Sequence, residues 1–488
     1  KEGKIYFLSR PRRFGKSLLV STLKNYFLGR KELFKGLKME ALEKDWKVYP
    51  VFHIDFNGGN FTQKGVLQSW IDGYVSSWER EIGMEADKSL PTGLRFIELL
   101  KTAYEKSGLR AVVLVDEYDK PILDVLDYDK DLEEEHRNIL KGFYSTFKGA
   151  DEYLQFVFLT GVTKFSQVSV FSGFNQPFDI SMHGKYETLC GISQEELDAT
   201  FREPMEAMSE VYRCSYDEMR AMLKAQYDGY HFSKKLSDVY NPFSLLNAFA
   251  SMDIFDYCFK SGTPTYLIRL LSHTDENMNE ITGKYYSAEE FIDYKANVEQ
   301  PLPMIYQSGY LTIKDFDLEE NTFLLDYPNK EVKRGFLTMV ASSYFSNGDT
   351  PSWIRNAVTC LKKGELDDFR TSLTSFLASI PYTMCRKENE RERERYFHYT
   401  FYLLMRLISV YTVYTEKVQS HGRVDCIVET PDFVYIFEFK LDGTAEEALR
   451  QIKEKGYVRE YEADQRKLYK IGAVFSSETG TIADWRTE

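Results

Sequence analysis

Residues 7–27 read FLSRPRRFGKSLLVSTLKNYF, and the reading of their centre, Arg10-Pro11-Arg12-Arg13-Phe14-Gly15-Lys16-Ser17, decides the fold. The phosphate-loop pattern G-x-x-x-x-G-K-[ST] matches at its end, but Arg10 stands where the pattern has its first glycine. Such a loop works because successive backbone N–H groups and a helix N-terminus point at phosphates, while a lysine adds mobile charge and a Ser or Thr holds magnesium. Gly15, Lys16 and Ser17 suit those roles, and the amides from Arg13 and Phe14 through Ser17 would form the cradle. Without the first glycine, Gly-Lys-Ser is also how an ordinary helix can begin. The surroundings have to decide.

Working outward, Ile5 to Leu8 is a short apolar run and a helical pattern extends from about Lys16 to Phe27, the strand, loop, helix order that a phosphate loop requires. Three further strands are expected: Val51 to Phe56, ending in Asn57-Gly58-Gly59-Asn60; Ala111 to Val115, stopping at Asp116-Glu117; and Phe156 to Leu159, stopping at Thr160-Gly161. Uniformly apolar strands separated by helical stretches predict an α/β fold with a parallel sheet covered on both faces. The strand ending in Asp116-Glu117 has the form of a Walker B element, the aspartate holding a magnesium shell and the glutamate polarising water. Thr160, with Thr163 and Lys164 behind it, falls where such folds place a polar sensor of the γ-phosphate. A buried strand with an acidic end is common by itself; the two signals in the right order carry the argument.

The 488 residues exceed what one hydrophobic core organises, and 43% hydrophobic residues with 15% aromatics suffice for two or three packed domains. A net charge of −13 does not mark a nucleic-acid binder, nor does it exclude one, because binding depends on local patches. Six scattered cysteines without a C-x-x-C pair read as reduced thiols, with Cys426 in a core, and seven histidines without a His-x-x-x-His or His-Glu pair argue against a zinc enzyme. No apolar run approaches a membrane span, so a cytoplasmic protein is expected. Because the sequence starts at Lys1 and enters a strand at once, an upstream segment is expected to be missing.

Three domains are expected: a P-loop core over residues 1–190, a helical lid and connector over 191–384, and a small α/β domain over 385–488. Ser193 and Glu196 form a capping box at the start of the helical region, which Asp228-Gly229-Tyr230 and Asn241-Pro242 interrupt. Tyr227 to Phe232 is an aromatic turn to which the sequence assigns no role. The stripe Tyr396, Phe397, Phe401, Leu404 reads as helix packing.

Near the C-terminus stands HGRVDCIVETPDFVYIFEFKLDGTAEEALRQIKEKGY, residues 421–457. Arg423 to Val428 and Phe433 to Lys440 read as two strands of a hairpin turning at Thr430-Pro431-Asp432, followed by a helix from Thr444 to about Lys455. Pairing Thr430 with Phe433 sets Asp425 opposite Glu438, and Lys440 projects from the same face as Glu438. Two opposed carboxylates repel, which a bridging cation would relieve, and a nearby lysine could then activate a water. The same residues would also serve as charges on a solvent-exposed strand face.

The stretches FLSRPRRFGKSLLVSTLKNYF, HIDFNGG (53–59), VVLVDEYDKPI (112–122) and FLTGVTKFSQVSVFSGFNQ (158–176) resemble the bacterial AAA-ATPase-like proteins, a branch related to the STAND and archaeal-type P-loop ATPases. In that family R-P-R-R-F-G-K-S is the usual loop, so the resemblance makes Arg10 a family trait. It covers residues 1 to about 250 and implies ATP binding through Gly15, Lys16 and Ser17, with Asp116 and Glu117 as the Walker B pair. GRVD, IFEFK and ALRQIKEKGY resemble the PD-(D/E)XK nuclease domain that often follows this ATPase type, over about residues 385 to 488. That resemblance implies a catalytic set of Asp425, Glu438 and Lys440 with Gln451 in support, and Glu394, ahead of RYFHYTFYLLMRL, as an upstream metal ligand.

The combined expectation is an Mg²⁺-using ATPase fused through a connector to a nuclease-like domain, with Mn²⁺ also suited to the second site, cleaving DNA or RNA under ATP control. The alternative is a nucleotide-switched interaction protein whose nuclease fold binds without cutting. A homo-oligomer is compatible with either.

Overall fold

The computed structural model describes residues 3–85, 87–126, 128–165, 177–258, 281–292, 301–345, 350–378, 426–455, 458, 461 and 464–488. They fall into two compact units, Lys1–Glu331 and Val332–Glu488.

The first unit is built on five strands, β1 (Ile5–Ser9), β2 (Val51–Asp55), β3 (Ala111–Asp116), β4 (Leu154–Gly161) and β5 (Phe178–Asp179), in the order β2-β3-β4-β1-β5. Every neighbouring pair is parallel. Parallel pairing demands long crossovers, which is why helices separate these strands in sequence. β3 is buried along its whole length, as a central strand covered on both faces must be. Helix α1 (Lys16–Phe27) packs on one face, where Val20 meets Leu8, Val112, Leu114 and Phe158. Strand side chains alternate between faces, so Asp116 and Thr160 continue the row of Leu114 and Phe158 and lie on the α1 side, at the strand ends beside the loop that opens α1.

Beyond residue 191 helices prevail, as expected, and among the described residues a small sheet accompanies them. Helices Gln194–Thr200, Arg202–Tyr212, Tyr216–Tyr227 and Pro242–Ser251 share a core through Leu197, Met208, Leu223, Tyr227 and Leu245. The capping box at Ser193 and Glu196 is present, and a second joins Ser215 to Glu218. Beyond them three strands, β6 (Lys284–Ser287), β7 (Thr312–Asp317) and β8 (Thr322–Asp326), form an antiparallel sheet ordered β6-β8-β7, with a helix Leu302–Gln307 between β6 and β7 in sequence. These strands are short and mix polar with apolar residues on their outward face, so their alternation is weak; Asn321, with φ 51°, makes the left-handed turn between β7 and β8.

In the second unit, β9 (Cys426–Glu429), β10 (Phe433–Leu441), β11 (Lys467–Phe475) and β12 (Ile482–Thr487) form one mixed sheet, ordered β12-β11-β10-β9. Helix Ala445–Glu454, capped by Thr444 and Glu447, covers one face through Leu449 and Ile452 against Ile427, Val434 and Ile436. The other face carries Tyr435 and Phe437, and there the Tyr435 hydroxyl donates to the Leu361 carbonyl at 2.5 Å while Phe369 meets Phe437 and Trp485. Helices Thr350–Lys363 and Leu366–Ala378 lie in the same compact unit as this sheet, Val332–Glu488. Among the described residues no helix is long and apolar enough to cross a membrane.

Candidate functional site

Gly15 caps α1 with φ 72° and ψ 22°, a left-handed conformation that favours glycine, and it is exposed together with Ser17. A helix's first amides have no partner within the helix, so this end presents N–H groups and a positive dipole to solvent. Arg13, φ 68°, adds a second left-handed residue to the loop. Alternating left-handed conformations turn successive amides inward into a nest that suits an anion.

The two arginines of the loop that the sequence leaves unexplained hold it from behind. Arg10 is 1% exposed. Its guanidinium donates to the carbonyls of Ser9, Ser181, Tyr186 and Leu189 at 2.7–3.2 Å and lies 4.1 Å over the Phe232 ring. Burial pushes its pKa down to about 10, so it stays charged at neutral pH. Where the usual loop has a glycine, this one has an anchor whose side chain points away from the cradle. Arg13 donates to the Tyr257 carbonyl at 2.8 Å and stacks 4.2 Å over Phe243. Phe14 is buried, edge-on to Tyr230 and Phe232. The aromatic turn thus grips the loop, which gives Tyr230 and Phe232 a role. Arg13 and Phe14 lend the cradle their backbones only.

Lys16 is buried, and its ammonium donates to the carbonyls of Arg10 and Pro11 at 3.1 Å each. Burial lowers its pKa, while Glu117, Asp119 and Asp116, in that order of strength, pull it back up. Asp116 is 2% exposed and accepts from the Thr160 hydroxyl at 2.6 Å. That hydroxyl has one hydrogen, so Thr160 orients the carboxylate of Asp116. Glu117, half-buried, takes φ 51°, a costly left-handed turn for a residue with a Cβ. Burial raises its pKa, with Lys16 opposing. A carboxylate with a raised pKa is a stronger base than an exposed one.

Sequence reasoning missed the residues behind this turn. Asp119 is 1% exposed, and one of its oxygens accepts from Val162 N at 2.9 Å, Thr163 N at 2.6 Å and Thr163 Oγ1 at 2.7 Å. A Cβ on Gly161 would come 2.6 Å from Asp119 Oδ1 and 2.7 Å from the Tyr118 ring, so only glycine fits there. The acidic pair of D-E-Y-D visible in the sequence is Asp116-Glu117; only the contact with residues 162–163 distinguishes Asp119 from a helix-capping aspartate.

In the C-terminal unit the register is the expected one: Val434 pairs with Glu429, Tyr435 with Val428, Ile436 with Ile427 and Phe437 with Cys426. Cys426 is buried, as expected of core. Glu438 is 1% exposed, and Lys440 Nζ stands 3.8 Å from its Oε1. Lys440 also donates to Gln451 Oε1 at 2.5 Å. Three of the five expected residues are thus brought together. Asp425, Glu394 and the stripe 396–404 lie outside the described residues, and among the described residues no group of three or more His, Cys, Asp or Glu side chains could hold a metal.

Residues 1–171 match the family described as "Predicted AAA-ATPase", and residues 392–485 match the PD-(D/E)XK nuclease superfamily. The whole chain is similar to the "Uncharacterized protein in vnfD 5'region" of Azotobacter chroococcum mcd 1, with 34% identity over 501 residues that span 100% of this chain and 93% of that one. The chain belongs to the AAA-ATPase-like proteins that end in a PD-(D/E)XK nuclease superfamily domain.

Proposed function

We propose that the chain binds and hydrolyses Mg²⁺-ATP at the loop of Gly15, Lys16 and Ser17, and that nucleotide state governs metal-dependent cleavage of nucleic acid by the C-terminal domain. The observation that supports this most directly is the convergence of Lys16, Asp116, Thr160 and a strained Glu117 at one end of one parallel sheet. The exposed helix start would take the phosphates, Lys16 would exchange its two carbonyl partners for phosphate oxygens, and Glu117 would accept the proton of the attacking water.

Both sites suit a divalent cation: Ser17 and Asp116 supply oxygens beside the cradle, and Glu438 is a buried carboxylate whose neighbour Lys440 is itself oriented by Gln451. Asp425, next in sequence to Cys426, and Glu394 would complete the second set. Bound metal would supply charge neutralisation at phosphate and a more acidic water. Lys440 would orient that water.

The test is cleavage of labelled DNA and RNA by the full-length protein, with and without ATP and Mg²⁺ or Mn²⁺. Expected is cleavage that needs metal, disappears in Lys440→Ala, and changes several-fold with ATP in wild type but not in Lys16→Ala. Cleavage indifferent to nucleotide would leave two independent enzymes on one chain. Binding without cleavage under every condition would leave a switch whose nuclease fold only binds.

A further inference from the structure

The segment that follows Thr160 is held from two sides, and the second holder is 143 residues away. From the core, Asp119 takes both amides and the hydroxyl of Val162 and Thr163, and the Tyr118 hydroxyl donates to the Thr163 carbonyl at 2.9 Å and accepts from Phe165 N at 3.2 Å. Ser9 Oγ, at the end of β1, donates to the Val162 carbonyl at 2.6 Å. From the other side, Lys164 N donates at 2.7 Å to Oε1 of Gln307, the last residue of helix Leu302–Gln307. Gln307 is 6% exposed, and its amide nitrogen donates to the Ile292 carbonyl. Both ends of that amide are engaged, which sets its orientation and aims the oxygen at Lys164 N.

Two residues further on, Gly309 rests on the phosphate loop. It has φ 86°, and a Cβ there would stand 2.5 Å from Pro11 Cβ. Gln307 and Gly309, two residues apart, therefore meet the segment behind the Walker B turn and Pro11 ahead of the cradle.

We infer that Gln307 is a positioning residue for ATP hydrolysis: through Lys164 N it holds residues 162–165, and with them Asp119 and the adjoining Glu117, in the geometry that turnover requires. The inference rests on the ATPase reading above. Glu117 sits in a left-handed turn that the surrounding contacts must enforce, so loosening one holder allows the turn to relax. Small displacements of a catalytic base lower turnover steeply while leaving phosphate binding intact. Nothing in residues 302–309 need touch the nucleotide for this.

The test is steady-state hydrolysis together with calorimetric ATP binding on the full-length protein. Gln307→Leu removes the acceptor at nearly constant volume and is expected to lower kcat roughly tenfold with KM and the ATP Kd changed less than about twofold. Gln307→Glu keeps an acceptor for Lys164 N but loses the donor to the Ile292 carbonyl, so it is expected to recover only part of that loss. Thr163→Val, which deletes one bond to Asp119 at the other side of the same segment, should lower kcat with the same unchanged KM, and it serves if Gln307→Leu does not fold. Wild-type kcat in Gln307→Leu, equal losses in the Leu and Glu variants, or a loss of binding in place of turnover would each overturn the inference. A wild-type protein that neither binds nor hydrolyses ATP would sink the ATPase reading itself, and this inference with it.

Discussion

Phe14, in the middle of the phosphate loop, stands edge-on to Tyr230, with ring centroids 4.8 Å apart and planes at 79°. The two residues belong to segments of different origin, the loop after β1 and the aromatic turn after helix Tyr216–Tyr227. Their contact makes the conformation of the loop depend on the turn. Tyr230→Ala opens a cavity behind Phe14 and is expected to cost about 3 kcal/mol of stability. It should also weaken ATP binding, because the loop that carries Phe14 loses its support. Denaturant unfolding and calorimetry check both effects; unchanged ATP affinity would mean that the loop holds its shape without the turn.

Lys16 and Glu117 should separate binding from turnover. Lys16→Ala is expected to abolish Mg²⁺-ATP binding with the fold intact, because it removes the ammonium that would exchange the Arg10 and Pro11 carbonyls for phosphate oxygens. Glu117→Gln should bind ATP normally and hydrolyse it at least ~100-fold more slowly, since an amide cannot take the proton of water. Calorimetry and phosphate release distinguish the two variants. Turnover at the wild-type rate in Glu117→Gln would assign the base elsewhere.

Metal at the C-terminal domain should depend on Glu438 and not on Lys440. In a Lys16→Ala background, which silences the first site, Mn²⁺ binding followed by electron paramagnetic resonance is expected to vanish in Glu438→Gln and in Asp425→Ala. It should persist in Lys440→Ala. Circular dichroism should be unchanged throughout, because Glu438 is isosteric with glutamine. Mn²⁺ affinity that survives Asp425→Ala would leave Glu438 and Lys440 as a structural ion pair.

Asp228, in the aromatic turn, carries a pH signature. Burial raises its pKa to about 6, with Asp238 adding to the shift and the Gly229 N–H, Lys224 and His231 opposing it. A carboxyl whose folded value lies above its unfolded value near 3.9 contributes its full stability below that lower value. The contribution falls as pH rises towards 6, because the buried group must then be ionised. Asp228→Asn removes this dependence. The variant should match wild type near pH 4 and exceed it by on the order of 2 kcal/mol above pH 6, measured by urea unfolding at both pH values. Parallel pH profiles for the two proteins would show that Asp228 titrates as an exposed carboxyl does.

Local pattern carries far in the core of this protein. Helix α1 begins and ends where the apolar period and the Gly15-Lys16 start place it, at Lys16 and Phe27, because a turn of left-handed glycine and a run of helical residues are decided within a few positions. The hairpin of β9 and β10 has the register set by Thr430 and Phe433, since a two-residue turn leaves one way to pair the strands with their apolar face inward. The short strands β6–β8 escaped because four to six residues of mixed polarity look like loop until a partner strand satisfies their backbone.

What the sequence by itself determined is the chemistry on offer: a lysine at a helix start with open amides, an acidic pair at the end of an apolar strand, and a carboxylate and lysine two apart on another. Residue type and spacing along one element are enough for that, because neighbours in sequence share a face or a turn. Only the tertiary structure decided how those groups are held. Arg10 as an anchor on four carbonyls, Asp119 as the clamp on residues 162–163, Gln307 behind Lys164 and the Phe14–Tyr230 contact each join segments that are far apart in the chain. Such contacts leave no local period to read, since a buried polar group is satisfied by whatever donor or acceptor the fold brings to it, and that partner is fixed only when the chain has packed.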